Sequence, residues 1–181
     1  MTPTLTDRPG LNRRQLLKVG LFGTAVLASA GGLASLSGCT TETAAPGYRQ
    51  LRGQDLPMLR RLVPVVLAGA LPATGRSAAV DNVLQALDNN LDRLSPSLNR
   101  QVLQLFDLLT LGLTRGAVTG IWGAWENASD AAVTAFLQRW ENSSFALLQQ
   151  GRNVLTNIIL LSCYSTPASW AQCGYPGPPR I

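Results

Sequence analysis

Val80, Val83, Leu84, Leu87, Leu91 and Leu94 recur at the spacing of one face of an α-helix, while Asp81, Asp88, Asn89 and Asp92 take the opposite face. This 3.6-residue period runs almost everywhere from residue 54 to residue 163, and no segment shows the two-residue alternation of a half-buried strand. A chain patterned this way buries its apolar stripes helix against helix. The expectation is an all-α fold, a small bundle of about five helices over 54–163.

The boundaries follow from punctuation. Asp55, with Pro57 close behind, is placed to open a first helix through Leu59, Leu62, Val63, Val66 and Leu67, and Pro64 should kink or interrupt it. Gly69 to Gly75, with Pro72, closes it. Ser95-Pro96 caps a third helix from Ser97 to about Leu113, apolar on most sides and therefore expected at the centre. Ser129-Asp130 opens a fourth, with Val133, Phe136, Leu137 and Trp140 as its stripe. Asn142-Ser143-Ser144 breaks the pattern before a fifth helix, which runs from Phe145 to about Ser162. Between the third and fourth helices, Arg115 to Asn127 reads as a Gly-rich loop.

Ahead of the bundle lies a segment of another kind. Asn12-Arg13-Arg14-Gln15-Leu16-Leu17-Lys18 precedes an uncharged run from Val19 to Gly38, the basic-then-apolar layout of an export signal. Paired Arg13-Arg14 followed by Leu16, Leu17 and Lys18, with a glycine-diluted apolar run, resembles the twin-arginine signal. Residues 1–38 are thus read as a signal peptide ending in Leu36-Ser37-Gly38-Cys39, which resembles a lipobox with Cys39 as the acylated residue. Ala28-Ser29-Ala30 is a competing cleavage site, and an uncleaved anchor is the third reading. Residues 39–53, polar and containing Pro and Gly, are expected to be a flexible linker lifting the bundle off a membrane.

Charge and composition narrow the chemistry. The net charge is +5, but from residue 39 onward 11 Arg face 9 Asp and Glu, and the Arg are scattered, so no nucleic-acid footprint is present. The chain is 46% hydrophobic and 14% charged, against about 25% charged in ordinary globular domains. It has no His, which removes the commonest general base and metal ligand, and its three Cys have no metal or haem spacing. Neither a dinucleotide-binding glycine motif nor a P-loop is found. Asp88 and Asp92 are read as a solvated helix face rather than an acid–base pair. No catalytic, cofactor-binding or metal-binding residue is expected in this chain.

Eight of the ten aromatics after Cys39 lie beyond residue 120, in or near the loop and the C-terminal tail. Trp122, Trp125, Trp170 and Tyr175, with Pro176, are therefore candidate partner-binding residues, the alternative being that they seal the ends of the core. The tail, 164–181, holds four of the eleven prolines and is expected to be irregular and extended. Cys163 and Cys173 could bridge after export, fixing the tail to the fifth helix, or stay reduced.

The tail carries a resemblance. Tyr164-Ser165-Thr166-Pro167-Ala168-Ser169-Trp170, continuing to Gly174-Tyr175-Pro176-Gly177-Pro178-Pro179, is similar to the end of the gluconate 2-dehydrogenase subunit 3 family, as Leu62 to Ala70 is to its early helix. Members are small, helical and non-catalytic, carry twin-arginine signals, and accompany a large flavin subunit of the glucose–methanol–choline oxidoreductase family. The resemblance implies a partner subunit that escorts, exports and stabilises a flavoprotein, with FAD in the partner and none here. It also implies an oxidoreductase complex in the periplasm or cell envelope. The lipobox departs from members that a cytochrome subunit anchors. The competing expectation is a freestanding helical envelope lipoprotein that binds another protein or ligand.

Overall fold

The computed structural model describes residues 43–167, 169–170, 174 and 176–177. The export signal, Cys39, Cys173 and Tyr175 lie outside the described residues. Six α-helices of eight residues or more are present among the described residues: α1 (Asp55–Val66), α2 (Arg76–Asp92), α3 (Pro96–Thr110), α4 (Gly112–Thr119), α5 (Asp130–Glu141) and α6 (Ala146–Tyr164). A single 3-10 turn, Trp125–Asn127, leads into α5. The fold is all-α, a small bundle.

The centre is α1. Its Met58, Leu59, Leu62 and Val63 are completely buried, and α2, α3, the 3-10 turn, α5 and α6 all pack against it. Those four side chains together contribute about 6–12 kcal/mol of gross burial energy. The third helix, α3, is peripheral, contrary to the pattern-based expectation; only Phe106 and Leu109 on it are fully buried. Its apolar circumference serves two surfaces, one facing the core and one facing outward, which the repeat alone does not separate.

Pro64 does not interrupt α1. It occupies the last turn, so the helix loses one donor to the carbonyl of exposed Arg60 and closes normally with Leu67 N–H donating to Val63 O at 2.9 Å. The expected loop at 115–127 is largely helical: α4 runs to Thr119 and ends on Gly120, whose φ of 76° makes the left-handed cap that glycine adopts without strain. Ser95 and Ser129 cap α3 and α5 as expected, through Leu98 N–H and Ala132 N–H.

Residues 43–53 are not a free linker. They form a strap closed by an isolated antiparallel bridge between Ala44 and Arg52, with Leu51 completely buried. The Asp88 carboxylate accepts the backbone N–H groups of Arg49, Gln50 and Leu51, each at 2.8 Å, and is itself only 2% exposed. Asp88 is therefore a buried anchor rather than part of a solvated face. One turn on, Asp92 stays at the surface and accepts from Gln50 Nε2 at 2.9 Å and Arg49 Nη1 at 3.0 Å. These bonds, Gln50's first and Arg49's second, hold its carboxyl below the usual aspartate range. Its contribution is present at neutral pH and is lost as pH falls through that depressed folded value.

The strap leads into a second polar knot. Buried Asp55 takes the Arg52 guanidinium in a bidentate pair at 2.9 Å for both bonds and also accepts the Arg52 N–H. Arg52 reaches Asp107 of α3 at 2.7 Å. Burial alone would lower the Arg52 pKa, but the two carboxylates outweigh it and raise the value.

Replacing Asp88 with Ala leaves three strap N–H groups without their acceptor, two of them only partly reachable by water. We expect Asp88→Ala to cost about 2–4 kcal/mol in urea unfolding. Limited proteolysis should cut within 43–53 before it cuts the helices.

Candidate interaction surface

The aromatic residues that the sequence groups together separate in space. Trp125 is 2% exposed. Its Nε1 donates to Leu109 O at 2.8 Å and its ring meets Phe136 edge-on, with centroids 6.2 Å apart. Phe136 in turn packs edge-on against Trp140 at 4.9 Å, and Trp140 Nε1 donates to Val118 O at 2.8 Å. Trp125 is thus a core residue, and the expectation that it is a partner-binding residue is corrected: with both ring and N–H satisfied internally, it offers nothing to a partner.

Trp122 takes the opposite role. It is 76% exposed, with one edge of its ring laid over Gly116 of α4, where any Cβ would collide with it. Glycine at 116 thus lets a large indole approach the helix closely while most of the ring stays exposed. Leu111 and Leu113 at the α3–α4 junction are also exposed. In the tail, Trp170 is half-buried and donates through Nε1 to Tyr164 O at 2.9 Å, with Gly177 against its ring. Residues 167, 169 and 170 are helical, in place of the extended path expected for this part of the tail. Pro176 is exposed. Cys163 is buried on α6, and its expected bridge to Cys173 involves a residue outside those described.

A feature the periodicity did not isolate lies between α3 and α6. Leu94, Leu98, Val102, Leu105 and Leu108 form one wall, and Leu147, Leu148 and Val154 the other, of a groove of about 620 Å³. Trp140 is its floor. Its three polar lining residues are Gln101, Gln104 and Gln150, and no charged side chain lines it. Leu98 and Leu147 stand on the two walls, 51% and 77% exposed. The floor depends on Gly151, because a Cβ there would sit 2.6 Å from Trp140 Cζ3. The signal for this groove was present as Leu94, Leu98, Val102, Leu105 and Leu108, a stripe offset from the core-facing Phe106 and Leu109.

Among the described residues, no group of three or more Cys, Asp or Glu is placed to hold a metal ion, and no helix is long and apolar enough to cross a membrane. Among the described residues, carboxylates accept backbone N–H groups, and the buried Ser162 of α6 accepts from Asn90 of α2 at 3.2 Å. Comparison with protein-family models, curated proteins and solved structures returns no match.

The two tryptophans make a paired prediction. Trp125→Ala should cost about 3–5 kcal/mol in chemical denaturation, as large core truncations do, whereas Trp122→Ala should stay within about 1 kcal/mol. Gly151→Ala sets a helix-propensity gain of up to about 1 kcal/mol against overpacking of about 1–3 kcal/mol. Because the obstructing atom belongs to a ring fixed at both ends, we expect a net loss and a lower Tm.

Proposed function

We propose that this chain is a non-catalytic small subunit that escorts, exports and stabilises a large FAD-dependent dehydrogenase of the glucose–methanol–choline family. The observation that carries the reading is the C-terminal sequence, Trp170 with Gly174-Tyr175-Pro176-Gly177-Pro178-Pro179, on a small helical chain headed by Arg13-Arg14-Gln15-Leu16-Leu17-Lys18. The twin-arginine route carries proteins that fold before export, and here the signal precedes a chain with no cofactor motif of its own. A partner that does hold a cofactor, FAD, gives that combination a purpose. Exposed Trp122 and Pro176 supply apolar surface for such a contact. Acylation of Cys39 would then hold the complex at an envelope membrane.

The lipobox-like Leu36-Ser37-Gly38-Cys39 favours a second reading, a freestanding envelope lipoprotein whose bundle binds some other protein or ligand. Export separates the two. With Arg13 and Arg14 both replaced by Lys, the chain should remain in the cytoplasm and retain there a co-expressed flavoprotein that lacks a signal of its own. A flavoprotein exported equally well with this variant overturns the escort reading and leaves the freestanding one. A fatty-acid probe should label the wild-type chain and not Cys39→Ala.

A further inference from the structure

Apolar side chains gather in the open at the elbow between α3 and α4. Leu111, extended between the two helices, is exposed, and Leu113 in the first turn of α4 is 78% exposed. Leu113, Gly116, Ala117 and Gly120 fall at i, i+3, i+4 and i+7, on one face of α4. Two side chains from beyond α4 approach that face: the exposed Trp122 ring at Gly116 and the Arg139 guanidinium at Gly120, each where a Cβ would collide with it. An indole and a guanidinium thus stand one helical turn apart, beside exposed leucine. Arg139 makes no ion pair among the described residues, and the one acidic residue from Leu111 to Ser129 is Glu126.

The hydroxyls of the elbow are turned inward. Thr110 Oγ1 donates to Phe106 O at 2.9 Å, Thr114 Oγ1 to Leu108 O at 2.8 Å, and Thr119 Oγ1 to Arg115 O at 2.7 Å. Such bonds suit a surface that leaves water, because hydrocarbon offers no partner to an open polar group. Trp and Arg suit the same setting, each with an apolar body and a polar tip that stays at the headgroups. The elbow's position is the second constraint. Asp107, one turn before Leu111, takes the Arg52 guanidinium at 2.7 Å, and Arg52 is the bridge partner of Ala44. The chain therefore enters the bundle on the elbow's side, at Thr43, four positions after Cys39. Four residues reach at most about 14 Å. Acylation of Cys39 would keep this side of the bundle at the membrane.

We propose that the α3–α4 elbow is a membrane-contact surface: Leu111, Leu113 and the Trp122 indole enter the headgroup–acyl boundary of an anionic bilayer, and Arg139 pairs with lipid phosphate. The inference rests on the reading that Cys39 is acylated. α4 is about 12 Å long at 1.5 Å per residue, so it touches a bilayer and does not cross it. Three apolar side chains and one arginine hold a membrane weakly by themselves. The anchor keeps them within reach, and their contact sets which side of the bundle faces the lipid.

Tryptophan quenching tests it, with the chain extracted from cell envelopes and reconstituted in phosphatidylcholine–phosphatidylglycerol vesicles whose lipids carry bromine near the headgroup. Mass spectrometry reads the Cys39 peptide of the same sample. Trp125 and Trp140 are buried, and the difference between wild type and Trp122→Ala isolates the Trp122 emission. The expected result is an acylated Cys39 and a Trp122 emission that the bromines lower at least about twofold, as befits a ring seated at the headgroup–acyl boundary. Leu113→Glu should abolish that quenching and leave the Tm unchanged, because Leu113 is exposed. An acylated chain whose Trp122 keeps its full emission overturns this proposal alone. Quenching that Leu113→Glu leaves intact also overturns it and assigns the contact to another surface. A Cys39 peptide without acyl chains overturns the acylation reading and this proposal with it. Trp122 left unquenched by the bromines but shielded from iodide by a co-purifying flavoprotein overturns it as well, giving the elbow to a protein partner.

Discussion

The burial of one short helix places most of this bundle: α2, α3, the 3-10 turn, α5 and α6 pack against α1, and α4 packs against α3. α1 is twelve residues long, and alone it could not persist in water, because helices of that length nucleate poorly. It persists because Met58, Leu59, Leu62 and Val63 have no solvent-facing surface left once the surrounding helices and the 3-10 turn close around them. Each neighbour in turn spends its best apolar stripe on α1 or on a helix that touches it. α2 and α5 also pack against α6, and α4 against α3, so the contacts of α1 and α6 together join a chain of separate amphipathic helices into one core.

Polar groups determine how the chain enters that core. A carboxylate is costly to bury unless its lone pairs are filled, and the fold fills them with backbone donors at Asp88 and with a guanidinium at Asp55. The two sites hold adjacent residues at the end of the strap that leads into α1. Asp88 holds residues 49–51 against α2, and Arg52 joins the start of α1 to Asp107 of α3. The direction in which the chain reaches α1 is thus set by directional bonds, whereas the packing of α1 is set by non-directional burial. Arg61 plays a similar part at the far side, donating to Ala128 O and to Asp130 where α5 begins.

What is left over after the core is satisfied defines the outer surface. Trp122 lies on α4 because residue 116 has no side chain, and the α3–α6 groove reaches down to Trp140 because residue 151 has none. Both glycines lie within helices, where glycine lowers helix stability by roughly 0.5–1 kcal/mol relative to alanine. The close approach of an indole at each site offsets that cost. The groove and the open Trp122 ring are two apolar features of the described surface, beside exposed Leu111, Leu113, Phe145 and Leu161, while the core tryptophans Trp125 and Trp140 are satisfied inside.

The sequence by itself determined the helical class, the stripe of α2, the caps at Ser95 and Ser129, and the stripe of α5, because each depends on residues within one or two turns of each other. It also displayed the basic pair, the uncharged run and the Pro-rich end, which are compositional and need no fold to be read. Only the tertiary structure decided that Asp88 is buried while Asp92, one turn away on the same helix, is not. Only it divided Trp122 from Trp125, three positions apart, into surface and core, and it made a strap of 43–53. In each case the deciding partner is distant along the chain: Leu51 and Asp88 are 37 positions apart, and Trp125 bonds Leu109 across 16. Local pattern registers which residues are apolar or charged; which of two apolar stripes on α3 faces inward depends on α1 arriving from another part of the chain.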